Sequence, residues 1–319
     1  MNKLKTILKV VLPLLLGVAL VWYSLCQISV SKLIQYFKDA NYFWIIIGVA
    51  SGILSHTSRA YRWLFMAEPL GYKPRFANSF MAVYSAYLIN LTIPRAGEVA
   101  RASILTNYEK VPFDKAFGTI VAERIADTIM LLFIIGLALI LKFDFIYDYF
   151  INKFNPTSLI VIIVALLLIV LGVYLYITRS ASKFASKVRN FVNGLFEGAL
   201  SIFKMKKKWP FIFHTLVIWG LYVFMFYITT KALPELSDIS LGAVLIGFIL
   251  ASFSIAATNG GIGSFPEAVV IAFLLFNMPE DPSRAFGWIM WSTQTIVIII
   301  LGGISLIYLP IYNRKKPRI

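Results

Sequence analysis

The residues with the clearest chemical potential in this sequence lie where apolar helices are interrupted. Residues 90–101 follow an apolar segment and place two arginines and a glutamate beside a proline and a glycine. Broken backbone at membrane depth is tolerated only where it is buried in protein or lines a wet cavity, and charges there mark a functional site by default. The candidate residues of this first break are Asn90, Pro94, Arg95, Gly97, Glu98 and Arg101.

The chemistry of the first break suits an anionic headgroup. An arginine presents a planar fork of donors that matches phosphate oxygens, and the start of a helix adds backbone N–H donors and a positive dipole end. We expect Arg95 and Arg101 to contact the headgroup and Glu98 to accept a cationic group or a coupling ion. The alternative is that Glu98 only caps its helix and that both arginines face the cytoplasm.

A second break lies at residues 258–267, where glycines, a proline and a glutamate follow another apolar segment. Glycine permits positive φ and close backbone approach. The stretch predicts a gate or an ion site, with a plain tight turn as the alternative. Its candidate residues are Asn259, Gly260, Gly261, Gly263 and Glu267, the last as a second helix-start acceptor.

Two further groups of charges lie within predicted helices. Arg59 and Arg62 are three residues apart and share a helix face, and Glu123, Arg124 and Asp127 can pair along another face. We expect all five to support the cytoplasmic mouth of a cavity, with the carboxylates positioning an arginine of the first break. Alternatively, the arginines only mark the cytoplasmic side, and the second group only orders the helix bundle.

The composition indicates an all-α polytopic integral membrane protein. Of the 319 residues, 59% are hydrophobic and 14% are charged, whereas soluble domains are about 45–50% apolar and about 25% charged. The net charge of +15 favours topology signals and anionic lipid over nucleic acid, because the basic residues cluster between apolar segments.

Several site classes are not expected in this chain. Cys26 is the one cysteine, and His56 and His214 are far apart, so the sequence predicts no disulfide and no metal centre. The phosphate-binding loops of nucleotide enzymes are absent from the sequence, so ATP-driven pumping by this chain alone is not expected. We predict no cofactor, and any transport would be downhill or coupled to an ion or proton.

The hydrophobic pattern predicts a single domain over residues 1–319, with about six spanning helices and two re-entrant helix pairs. The predicted spans are residues 7–26, 42–65, 115–141, 159–177, 211–230 and 285–309. The re-entrant pairs are residues 76–91 with 98–108 and residues 241–258 with 266–276. A basic amphipathic helix is predicted to lie in the membrane interface over residues 182–208.

The positive charges favour cytoplasmic N- and C-termini. This orientation requires each re-entrant pair to return to the side from which it entered, the first from the cytoplasm and the second from outside. Residues 1–145 and 155–312 then form an inverted repeat, an arrangement that recurs in transporters.

Four ordered motifs resemble a known family. They are Arg59-Ala-Tyr-Arg62-Trp63, Asn90-x-x-x-Pro94-x-x-Gly97-Glu98-x-x-Arg101, Glu123-Arg124-x-x-Asp127 and Gly260-Gly261-Ile262-Gly263-x-x-Pro266-Glu267. The chain is similar over residues 5–310 to the lysylphosphatidylglycerol synthase transmembrane-region family, also called the flippase-like domain family. It resembles the N-terminal membrane half of the bacterial multiple peptide resistance factor.

The resemblance implies lipid handling in a bacterial cytoplasmic membrane. In the resistance factor, this half moves aminoacylated phosphatidylglycerol between leaflets, and a separate soluble half transfers the amino acid. We expect no transferase activity here, since the sequence ends at Ile319 without that half. Related domains accompany glycosyltransferases that act on polyprenyl-linked sugars, so the lipid is expected to be either an aminoacyl-phospholipid or a polyprenyl type.

Three hypotheses follow for the function. The first is a flippase-like protein, not an enzyme, that translocates an anionic or amphipathic lipid. Its expected partners are membrane lipids, and either a monomer or a homo-oligomer is compatible with this hypothesis. The second is a scaffold that presents lipid to a partner glycosyltransferase or synthetase. The third is an intramembrane enzyme that uses Glu98, Asp127 and Glu267 as acid/base groups.

Overall fold

A computed structural model describes residues 2–93, 95–145, 147–148, 156–180, 182, 184–186, 188–189 and 205–314. Within these ranges the secondary structure is helical and no strand occurs, which confirms the all-α prediction. The helices are α1 (Asn2–Gln27), α2 (Val30–Asp39), α3 (Tyr42–Ala67), α4 (Phe76–Thr92), α5 (Ala96–Glu109), α6 (Phe113–Leu141), α7 (Pro156–Arg179), α8 (Lys208–Thr230), α9 (Leu241–Ala257), α10 (Ser264–Leu274) and α11 (Glu280–Arg314).

The two interruptions predicted from the sequence are present. Helix α4 ends at Thr92 and α5 begins at Ala96, while α9 ends at Ala257 and α10 begins at Ser264. The amphipathic helix predicted over residues 182–208 falls largely outside the described residues.

Helix α2 was not predicted. The Ser29 side chain accepts a hydrogen bond from the backbone N–H of Lys32 and so caps the start of this helix. The chain bends by 84° between α1 and α2. The serine cap was the available signal in the sequence, but ten residues are too few for a clear helical period.

By length and hydropathy, three described helices could cross a membrane: Phe113–Leu141, Lys208–Thr230 and Glu280–Arg314. The bent pair of α1 and α2 would make a fourth. Helix α3 is long enough, but Ser55, His56 and Arg59 lower the hydropathy of its second half, and all three are buried in protein. The count of six spans therefore stays a prediction.

The helix contacts fall into two matching sets. Helix α3 packs along α8, and each short pair, α4 with α5 and α9 with α10, forms a hairpin. Helix α4 packs against α11, and α9 packs in the same way against α6. Each contact within and between α3–α6 and α8–α11 thus has a counterpart under the exchange of the two groups.

Two apolar clusters support the two hairpins. One lies around the first hairpin and contains Trp63, Leu105 and Ile120, while the other lies around the second hairpin and contains Phe226 and Phe273. The polar residues of the first break lie between elements that these clusters hold in place.

The packing of α11 against α4 depends on one of two adjacent glycines. A Cβ atom on Gly302 would lie 2.7 Å from Leu88 Cβ and 2.8 Å from the backbone oxygen of Tyr84, whereas a Cβ on Gly303 would meet nothing within 4 Å. Small residues permit this close approach of membrane helices.

We predict that Gly302→Ala lowers the free energy of unfolding by about 1–3 kcal/mol, because the added methyl group forces α11 away from α4. Gly303→Ala is the matched control and should be neutral or slightly stabilising, since alanine favours helix. Thermal unfolding of the purified protein in detergent measures both. Equal effects of the two substitutions would contradict the packing described.

Candidate anion-binding site

Helices α3, α5 and α6 bring the predicted charges together in a buried network. Glu123 of α6 accepts hydrogen bonds from Arg59 of α3 and from Arg101 of α5. Asp127, one turn further along α6, lies 2.6 Å from Arg59 Nη1. The charges of α3 thus share one helix face and those of α6 share another, as their spacing predicted, and these two faces meet.

Arg101 is held most firmly. Its Nη1 and Nη2 atoms donate to the two oxygens of Glu123 at 3.1 and 2.9 Å, which is a bidentate arrangement. Its guanidinium lies 3.9 Å above the ring centre of Trp63, and the Trp63 indole donates to Thr119 at 2.8 Å. The tryptophan of the first motif thus positions the arginine of the second.

Arg62 connects this network to α8. Its Nη2 atom lies 3.0 Å from Asp127 Oδ1, and its Nη1 atom donates to Thr215 Oγ1 at 2.9 Å. Asp127 also accepts from the Trp219 indole at 3.3 Å. Glu123 and Arg62 are both 0% exposed, and charges buried so deeply require partners of opposite charge.

Arg124 and Glu98 form the rim of the site. They approach to 3.4 Å, and Arg124 lies 3.8 Å from Asp127. Both pairs are long for charge-assisted hydrogen bonds, and both rim side chains are partly exposed to their surroundings. The rim pair is therefore weaker than the pairs beneath it.

A small open pocket, with about 250 Å³ of empty space that includes open solvent at its mouth, lies between this rim and the buried network. Its lining residues are Arg59, Val83, Ala86, Tyr87, Asn90, Glu98, Arg101 and Arg124. The Nε atoms of Arg59, Arg62 and Arg101 are buried and have no hydrogen-bond partner among the described residues, so these unpaired donors belong to the buried network as a whole.

Asn90 and Gly97 build the turn beside the pocket. The Asn90 side chain accepts a hydrogen bond from the backbone N–H of Gly97 at 2.7 Å, so it caps the start of α5 across the break. A Cβ atom on Gly97 would lie 2.2 Å from the backbone oxygen of Ala86, so a larger residue does not fit. Arg95 adopts a left-handed conformation, with φ of 62°.

The remaining residues predicted at the first break are not brought into the pocket. Arg95 is exposed and does not line the pocket, and it makes no ion pair with the part of the chain that the structure describes. Pro94 lies outside the described residues. Their contact with a headgroup stays a prediction.

The second break is a tight glycine-rich turn. Gly260, Gly261 and Gly263 all have positive φ, between 63° and 78°. The backbone oxygen of Gly260 accepts from the Trp291 indole at 2.8 Å, and a Cβ atom on Gly263 would lie 2.5 Å from the backbone nitrogen of Val21 in α1. The turn is thus fixed by α11 and closely covered by α1.

Glu267 belongs to a separate ion-pair group. It accepts from Arg284 at 3.1 and 3.3 Å, and Arg284 also pairs with Glu280 at 3.0 Å. Glu98 and Asp127, by contrast, both approach Arg124. The three carboxylates of the acid/base hypothesis are therefore divided between two ion-pair groups on different hairpins.

Sequence reasoning missed two residues of these groups. Arg284 belongs to none of the motifs of the sequence analysis, although its spacing of four from Glu280 predicts a helical ion pair. Tyr87 lines the pocket, and its position three residues before Asn90 places it on the same face of α4.

The histidines take part in local polar contacts. His56 Nδ1 lies 3.2 Å from the Tyr222 hydroxyl, and His214 Nδ1 lies 2.7 Å from Ser58 Oγ. Within the part of the chain that the structure describes, no cluster of side chains could hold a metal ion.

We predict that Glu123→Gln lowers the free energy of unfolding by about 3–5 kcal/mol, because it leaves buried arginines without their shared counter-charge. Glu98→Gln is the matched control on the rim and should change stability by less than about 1 kcal/mol. Thermal unfolding in detergent compares the two. A Glu123→Gln variant as stable as Glu98→Gln would show that the network is not required for folding.

Comparisons with known proteins agree with the four motifs. Residues 10–302 match the family described as the lysylphosphatidylglycerol synthase TM region. A UPF0104 membrane protein of Methanocaldococcus jannaschii is 26% identical over 344 aligned positions, which cover 99% of this chain and 99% of the relative. No solved structure matches the chain significantly. Because the match covers most of its length, this membrane protein belongs to the lysylphosphatidylglycerol synthase TM region family.

Proposed function

We propose that the protein binds the anionic headgroup of a membrane lipid in the pocket between α3, α4, α5 and α6 and passes it between the two leaflets. The lipid is an aminoacyl-phospholipid or a polyprenyl-type lipid, as the family resemblance implies. The proposed function is not enzymatic, and the proposed location is a cytoplasmic membrane.

The charge of the site is the observation that carries this proposal. Four arginines, Arg59, Arg62, Arg101 and Arg124, face three carboxylates, those of Glu98, Glu123 and Asp127. The surplus is positive, and Arg124 at the rim has 47% of its side chain exposed. A phosphate group would supply both the missing charge and acceptor oxygens.

The rim explains how a headgroup could enter. Arg124 and Glu98 form a long, partly exposed pair, and such pairs contribute little to stability. A ligand phosphate can therefore replace Glu98 as the partner of Arg124 at small cost. Glu98 is then free to accept a cationic group of the same headgroup.

The matching helix contacts support a transport path. We infer that α3–α6 and α8–α11 are the two halves of an inverted repeat, since their contacts correspond helix by helix. In transporters with inverted repeats, the substrate site lies between discontinuous helices near the middle of the membrane. The two breaks occupy equivalent places in this arrangement, with the termini in the cytoplasm as the charge bias favours.

We predict that Arg124→Gln slows the transfer of a labelled anionic phospholipid roughly tenfold, the effect of losing one charge-assisted hydrogen bond. Lys110→Gln is the control, because it removes the same charge from an exposed position at the opposite end of α5. The measurement is the rate at which labelled lipid changes leaflet in proteoliposomes.

The same experiment separates the rival functions. Equal rates for Arg124→Gln and Lys110→Gln would contradict a headgroup role for the pocket. If the wild-type protein retains lipid through purification but moves it no faster than protein-free vesicles do, it acts as a scaffold that presents lipid to a partner enzyme.

A further inference from the structure

The end of α4, just before the first break, contacts the second break. A Cβ atom on Gly260, in the second break, would lie 2.6 Å from Cδ2 of Leu91, in the last turn of α4 just before the first break. The two residues are far apart in sequence, so this contact joins the tips of the two hairpins. It consists of an apolar side chain resting on glycine backbone.

Both sides of the contact are held by fixed structure. Gly260 is held by the hydrogen bond from the Trp291 indole to its backbone oxygen. On the other side, the backbone N–H of Ile93 donates to Ile89 at 2.8 Å, which keeps the end of α4 helical through Leu91. The movable part between them is the Leu91 side chain.

Polar residues flank the contact in both breaks. Asn90 precedes Leu91 and lines the arginine pocket. Asn259 precedes Gly260, is 4% exposed, and its Nδ2 atom has no hydrogen-bond partner among the described residues. Leu91 therefore lies next to a polar residue of the pocket and contacts Gly260, which follows a buried polar residue of the second break.

We propose that the contact between Leu91 and Gly260 is the closed gate of the lipid path. This proposal rests on the proposed function, because it assumes that a headgroup leaves the arginine pocket toward the second break. An apolar constriction excludes water and polar groups while it is closed. It makes no hydrogen bond that must be broken, so a rotation of the leucine side chain opens it.

The proposed gate requires glycine at position 260. Its φ of +63° and the 2.6 Å approach of Leu91 leave no room for a side chain. The leucine can therefore seal against backbone alone.

The first test shortens the gate. Leu91→Ala should raise the rate of lipid transfer in proteoliposomes on the order of tenfold, because the apolar seal is lost. Ile93→Ala is the matched control: Ile93 is an exposed aliphatic residue at the same break and should leave the rate unchanged. The amount of lipid retained through purification should stay the same in both variants, since the arginine pocket is intact.

The second test locks the gate. In a Cys26→Ser background, which removes the exposed native cysteine, Leu91→Cys and Gly260→Cys are introduced together, so that the first substitution removes the leucine atom that a Cβ on residue 260 would meet. Mild oxidation should form a disulfide, seen as a loss of two hydrogens in the intact mass, and should stop transfer until a reductant is added.

Each remaining outcome has a defined meaning. Equal rates for Leu91→Ala and Ile93→Ala, or transfer that continues after cross-linking, would each overturn the gate, and if no disulfide forms, the comparison of Leu91→Ala with Ile93→Ala decides alone. If the wild-type protein and the Cys26→Ser parent move lipid no faster than protein-free vesicles do, the proposed function fails and the gate fails with it. That result differs from a failure of the gate alone, in which the parent protein still transfers lipid.

Discussion

The buried carboxylate of Glu123 is the constraint on which the arrangement of the first hairpin depends. It is shared by arginines from α3 and α5, so these helices must meet α6 at one height for all the charges to be paired. Burying charges is costly, and a buried ion pair seldom adds net stability over apolar packing. Its effect here is on specificity, because a shift of α5 by one residue would separate Arg101 from both Glu123 and Trp63. The break before α5 sets that height.

The same network leaves little of its arginines accessible to a ligand. The Nη atoms of Arg59 and Arg101 are used in ion pairs within the protein, and their Nε atoms are buried without a hydrogen-bond partner among the described residues. Arg124, with 47% of its side chain exposed, is the most accessible arginine of the network. From the sequence, the charges of α6 could either order the helix bundle or serve a function. In the structure they form two parts: a closely paired, buried base around Glu123 and a weakly paired rim of Arg124 and Glu98.

Local sequence signals were sufficient to predict the breaks and most helix bounds, since proline, glycine and loss of apolar character act within a few residues. The family match confirmed the resemblance carried by the four motifs. The sequence predicted that a carboxylate of the Glu123 group would position an arginine of the first break, and Arg101 is that arginine. It did not predict the pairing of Arg59 with Asp127, because these residues are 68 positions apart and meet only after α3 and α6 pack. The same reason applies to Arg284, whose partner Glu267 lies on another helix. Arg95 and Arg101 looked equivalent in sequence, yet the left-handed turn leaves one exposed and buries the other.

The helix groups α3–α6 and α8–α11 share one further feature, which differs between them in exposure. In each group, a glutamate in the first turn after the break pairs with an arginine on the following helix: Glu98 with Arg124, and Glu267 with Arg284. The side chain of Arg124 is 47% exposed, whereas that of Arg284 is 2% exposed and more closely paired. In an inverted repeat, equivalent positions face opposite sides of the membrane. Within the proposed function, this conformation is therefore open at the first break and closed at the second. The closed contact between the hairpin tips fits that state, since a path with alternating access must be sealed on at least one side.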